Sequence, residues 1–117
     1  MPMVKVSNGG TTGSISLVAS DSRNFYNDTL TFFTNLSLPL GTYDVLLVQF
    51  NTNTSNVVGN LTMTGATINS VGETTKPSGT DNTAMRILNI TVTSSTQTMT
   101  GSFPYLQQRT IKSYLYM

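Results

Sequence analysis

Four consecutive apolar residues, Val45, Leu46, Leu47 and Val48, sit between Tyr43 and Phe50 in an otherwise polar chain. In an extended strand successive side chains point to opposite faces, so this run carries apolar groups on both of its sides. One side can face a domain core. The other requires a second cover, supplied either by a loop of the same chain or by a neighbouring copy. Tyr43, Val45 and Leu47 share one face, and Leu46, Val48 and Phe50 share the other. The final residues repeat the pattern, with Ile111, Leu115 and Met117 on one face and Tyr114 and Tyr116 on the other. A two-layer sandwich has one core to offer. Leu46, Val48, Phe50, Tyr114 and Tyr116 are therefore expected to meet other subunits, since interface cores are rich in aromatics and poor in charge.

Period two recurs wherever apolar residues occur. Ile15, Leu17 and Ala19 alternate with serines, and Leu30, Phe32, Leu36, Leu38 and Leu40 share one parity. Leu61 and Met63 alternate with Thr62 and Thr64 up to Gly65, after which Ile68 shifts parity, predicting a bulge or sharp bend at the glycine. Leu88, Ile90 and Val92 stand opposite Asn89, Thr91 and Thr93, and Met99 and Phe103 continue the scheme. Between these runs lie the turn-forming clusters Asn8 to Gly10, Ser20 to Asp28, Asn51 to Asn56 and Gly72 to Asn82. In Leu38 to Gly41, Pro39 and Gly41 suit the second and fourth positions of a type I turn. No 3.6-residue periodicity lasts two turns. Seven or eight short strands separated by turns predict an all-β fold, an antiparallel, jelly-roll-like β-sandwich. Its 117 residues suffice for a single domain, with residues 1–13 as an N-terminal arm or linker.

Charged residues make up 9% of the chain, against roughly 25% in an average globular protein, and Thr, Ser, Asn and Gly fill the difference. A net charge of +1, with the basic residues scattered from Lys5 to Lys112, leaves no electrostatic footprint for nucleic acid. No apolar run reaches the ~20 residues of a membrane span, and the first ten residues lack a signal-peptide core. Cysteine and histidine are both absent, which excludes thiol nucleophiles, His-based triads and zinc sites built on imidazole or thiolate.

Catalysis would have to come from Asp21, Asp28, Asp44, Glu73 and Asp81. A glycosidase needs two carboxylates roughly 5 to 9.5 Å apart. Asp21 and Asp28 share one polar segment, but such segments routinely hold two solvated aspartates. Asp44, beside an apolar strand, is expected to pair with a base or close a turn. Asp21, Asn24, Asn27 and Asp28 do not have EF-hand spacing, and a generic turn explains them better than calcium. The reading is thus of a non-enzyme with no cofactor and no metal. The Asn-x-Ser/Thr triplets at Asn27, Asn35, Asn53, Asn60 and Asn89 are expected by chance in a chain of this composition.

Binding through loops fits better, because saccharides and receptor surfaces are held by planar polar groups beside an aromatic. Arg23, Tyr26, Asn27 and Asp28 supply such a set in the segment RNFYND. Tyr105, Gln107, Gln108 and Arg109 supply another in FPYLQQR. The plainer alternative is that Phe25 and Phe103 plug the ends of the sandwich while their polar neighbours are merely solvated.

A corner Pro39-Leu40-Gly41-Thr42-Tyr43 enters the apolar strand, Thr- and Asn-rich strands follow, and an aromatic strand closes the chain. From Leu30 to Met117 this order resembles the C-terminal head domains of bacteriophage tail fibres and receptor-binding proteins. It also resembles the trimeric jelly-roll heads of complement-type and tumour-necrosis-type modules. The resemblance implies a homotrimer on a virion surface, with adhesive loops at its tip that bind a host surface glycan or protein. A capsid decoration or minor virion structural protein, bound to other virion proteins, is the alternative. A polysaccharide-cleaving enzyme is the outsider.

Overall fold

A computed structural model describes residues 4–8, 11–25, 29–51, 60–72, 83–102 and 109–117, with the backbone alone for 4–8, 11–14, 25, 51 and 109. The described residues contain ten strands and no helix: β1 Val4–Asn8, β2 Thr11–Ile15, β3 Leu17–Phe25, β4 Thr29–Leu36, β5 Gly41–Asn51, β6 Leu61–Thr64, β7 Ala66–Val71, β8 Thr83–Val92, β9 Gln97–Ser102 and β10 Arg109–Tyr116. β1 and β2 form a two-stranded sheet that overlaps residues 1–13, expected to be an arm, and runs past them to Ile15. The other eight make a five-stranded sheet, β3-β10-β5-β8-β7, and a three-stranded sheet, β4-β9-β6.

The pairing is nested. β3 pairs with β10, β4 with β9 and β5 with β8, all antiparallel. A chain folded as one long hairpin and then rolled gives this order, so the sandwich is jelly-roll-like. The innermost pair breaks the nesting, because β6 joins the three-stranded sheet and β7 the five-stranded one. The switch falls on Gly65, which has φ +76°, and its carbonyl accepts from the amides of Thr93 and Ser94 at 3.0 and 3.1 Å. The expected bend at this glycine is thus a change of sheet.

The core lies between the sheets. The five-stranded sheet contributes Val45, Leu47, Leu88, Ile90, Val92, Ile111 and Leu115, and the three-stranded sheet Phe32, Phe33, Leu36 and Met99. One expectation needs correction here. Leu40 shares sequence parity with Phe32 but is 69% exposed, whereas Phe33, of opposite parity, is buried. Register shifts around Phe33 and the left-handed Asn35, φ 57°, break the period along β4.

The two ends of the sandwich differ. At one end the connections are short: residues 37–40, Gly65 and residues 93–96. Buried Gln97 ties this end together, accepting from the amide of Leu38 at 2.9 Å and donating to the carbonyl of Ser94 at 2.5 Å. The Tyr43 hydroxyl donates to the carbonyl of Pro39 at 2.7 Å, bracing the corner that launches β5. The segments 26–28, 52–59, 73–82 and 103–108 all join strands at the opposite end.

Candidate functional site

The two faces of β5 separate as its sequence requires. Val45, Leu47 and Gln49 are buried in the sandwich, while Leu46 and Val48 are half-buried and Phe50 exposed on the outside. Strand register then sets the neighbours of the outer residues. Leu46 stands between Tyr116 on β10 and Ile87 on β8, and Val48 between Tyr114 and Met85. Phe50 stands between Lys112 and Thr83, and its ring meets that of Tyr114 edge-on, with centroids 5.8 Å apart at 80°. The five residues expected at a subunit interface, Leu46, Val48, Phe50, Tyr114 and Tyr116, therefore form one patch. Met85 and Ile87 extend it, remaining 41% and 54% exposed. Lys112 borders the patch at one end and Asp44 at the other, giving an apolar centre with a polar rim.

Beyond Leu46, toward the short turns, the same face becomes polar. Its next two rows hold Asp44 with Asn89, and Thr42 with Thr91 and Thr67. The sequence led to the expectation that Asp44 closes a turn or pairs with a base, but it closes no turn and has no basic partner among the described residues. It lies within β5 and accepts a hydrogen bond from Asn89 Nδ2 at 2.8 Å. The second cross-strand layer of hydroxyls is on the three-stranded sheet, where Thr31 bonds Thr100 at 3.1 Å and Thr64 bonds Thr98.

The expected ligand loops divide. Ser20 to Phe25 is strand rather than turn, because β3 pairs with β10 from Leu17 to Phe25. Arg23 consequently lies on a sheet, and its Nε donates to Asp21 Oδ2 at 2.8 Å. Asp21 and Asn24 have opposite parity on β3, and Asn24 accepts from the Thr110 hydroxyl, so the suggested oxygen cluster does not form around them. Tyr26, Asn27, Asp28, Tyr105, Gln107 and Gln108 lie outside the described residues, as do Phe103, Glu73 and Asp81. Arg109 pairs with Phe25 through the backbone. Segments 26–28 and 103–108 thus leave from neighbouring strand ends, and the two candidate ligand sets share one root.

Chemistry-bearing groups are sparse among the described residues. Asp21 has the parity of Ser113, which is buried in the sandwich, while Asp44 is on the outer face, so these two carboxylates cannot act as a pair. No three His, Cys, Asp or Glu side chains gather among the described residues. An open cleft of about 350 Å³ runs between the edge strands β3 and β4, lined by Ala19, Asp21, Phe33 and Leu36, with Asp21 its one carboxylate. No described helix is long and apolar enough to cross a membrane.

One polar cluster is fully internal. Arg86, 5% exposed, donates to Gln49 Oε1 at 2.7 Å, and Gln49 Nε2 donates to Ser113 Oγ at 3.1 Å. Burial pushes the Arg86 guanidinium down to about 10, which leaves it charged at neutral pH. A buried cation is tolerated only while its hydrogen bonds are satisfied. Replacing Gln49 with Leu is expected to cost about 1.5–3 kcal/mol, the worth of a hydrogen bond to a charged group. An unchanged urea midpoint would show that Arg86 does not depend on Gln49.

Compared with known proteins, the chain matches no family model, no curated sequence and no solved structure.

Proposed function

We propose that the chain is the receptor-binding head of a virion surface fibre or similar adhesive tip, a homotrimer that attaches through loops. The observation that carries this reading is the apolar patch of Leu46, Val48, Phe50, Met85, Ile87, Tyr114 and Tyr116 on the outer face of the five-stranded sheet. A face of this composition is covered most economically by further copies of itself. Three copies on one rigid head add avidity of about 10²–10⁴ over single-site affinity without a deep pocket.

The polarity of the sandwich supports the same reading. β2 feeds β3 at the short-turn end, with Ser16 and Met117 exchanging backbone hydrogen bonds of 3.1 Å there. Three of the four connections at the far end, 52–60, 72–82 and 103–108, are longer than any at the short-turn end, and connections can vary in side chain without disturbing strands. Segments 26–28 and 103–108 adjoin the paired strand ends Phe25 and Arg109 and carry in sequence the mixture of aromatic and planar polar groups suited to a host surface glycan or protein. Changing Tyr26 and Asp28 together to Ala is expected to abolish attachment to host cells while the oligomer keeps its mass and melting temperature. Attachment at the wild-type level by that double variant would exclude this loop. Intact attachment with weakened incorporation into particles would instead favour a capsid decoration role.

A further inference from the structure

Asp and Asn are depleted from strands because they hydrogen-bond competing backbone conformations. Yet Asp44 on β5, Asn89 on β8 and Asn69 on β7 stand side by side across three strands of the outer face. A bulge in β7 sets both Asn69 and Ser70 opposite the single Asn89, as the pairing passes from Ile68↔Ile90 to Ser70↔Asn89. Three unfavourable residues in register, fixed by a bulge, are a local departure of the kind that marks functional sites.

The hydrogen bonds within the strip decide what it has left to offer. Asn69 Nδ2 donates to Asn89 Oδ1 and to Thr91 Oγ1, both at 2.9 Å, which uses its two hydrogens. Asn89 Nδ2 donates to Asp44 Oδ1 at 2.8 Å, and Thr42 and Thr91 share a bond of 2.8 Å. Asp44 Oδ2 and Asn69 Oδ1 have no hydrogen-bond partner among the described residues, and both side chains are exposed. The strip therefore holds two oriented acceptors facing solvent, with hydroxyls beside them. The two strand spacings from β5 to β7 span about 10 Å.

We infer that this strip is a shallow binding site for a neutral saccharide, whose hydroxyls donate to Asp44 and Asn69. Fixed acceptors in a line suit a polyhydroxylated donor, and the Asp44 carboxylate repels anions. Asp44, Asn69 and Asn89 lie outside the apolar rows that the proposed trimer would cover. The site adds a second contact to the proposed adhesion and does not depend on the loops.

The test is a titration of the ¹⁵N-labelled protein with maltohexaose, cellohexaose, laminarihexaose and a linear mannohexaose, following the side-chain amides of Asn69 and Asn89. At least one sugar should shift these amides saturably, and Asn69→Ala and Asp44→Ala should each weaken its binding at least tenfold with the backbone spectrum otherwise retained. No shift with any of the four, or wild-type affinity in both variants, overturns the inference. Shifts confined to residues 26–28 and 103–108 overturn it while leaving the loop-borne adhesion standing. Loss of Asn69 and Asn89 from the reach of a soluble paramagnetic agent on assembly also overturns it, because the strip would then be subunit contact.

Discussion

Changing Gly65 to Ala is expected to destabilise the sandwich by about 2–5 kcal/mol, combining a left-handed backbone at a non-glycine residue with overpacking. Gly65 has φ +76°, and a Cβ there would stand 2.1 Å from the carbonyl oxygen of Thr96. That oxygen is backbone in a short turn and cannot swing aside as a flexible side chain would. Gly41 provides the control. Its φ is +133°, but a Cβ would meet nothing within 4 Å, so Gly41→Ala should cost only the backbone strain, about 1–3 kcal/mol. Urea unfolding at constant m-value measures both. Equal and small losses at the two positions would show that the chain does not need a glycine to pass from β6 in one sheet to β7 in the other.

Adjacent residues of β5 should respond in opposite ways to the same substitution. Leu47 is fully buried between the sheets, so Leu47→Asp leaves an unpaired carboxylate in the core and should abolish folding. Val48 is half-buried on the outer face of the single chain, between Tyr114 and Met85. Val48→Asp should therefore leave the sandwich folded and dissociate the assembly, and Leu46→Asp should do the same. Circular dichroism and solution mass together separate the two results. A Val48→Asp variant that keeps both the oligomer mass and the melting temperature of the wild type would mean that this face stays open to water.

The faces of β5 and β10 were legible because period two is unambiguous where apolar residues run on both parities. Each of Leu46, Val48, Phe50, Tyr114 and Tyr116 has the orientation its parity assigns. Met85 and Ile87 were harder to see, because carrying the period back from Leu88 requires Arg86 to point inward. Gln49, distant in sequence and itself held by Ser113, is a partner that helps make that burial acceptable. The Ser20 to Phe25 stretch reads as a turn by composition, and its strand state comes from pairing with β10 far along the chain. The Asp44–Asn89–Asn69 strip is likewise a product of register: nothing local to any of the three residues announces the other two. The register shift along β4 beside buried Phe33 belongs to its pairing with β9, which a single-strand pattern does not contain, while Leu40 is exposed in the connection before β5.

In the proposed trimer the outer face of the five-stranded sheet is covered by copies of the same chain. Multi-angle light scattering of the wild-type protein at micromolar concentration, run beside Val48→Asp, tests it most directly. The wild type is expected to have three times the mass of one chain, and the variant the mass of one folded chain. A wild-type protein with the mass of a single chain would contradict it.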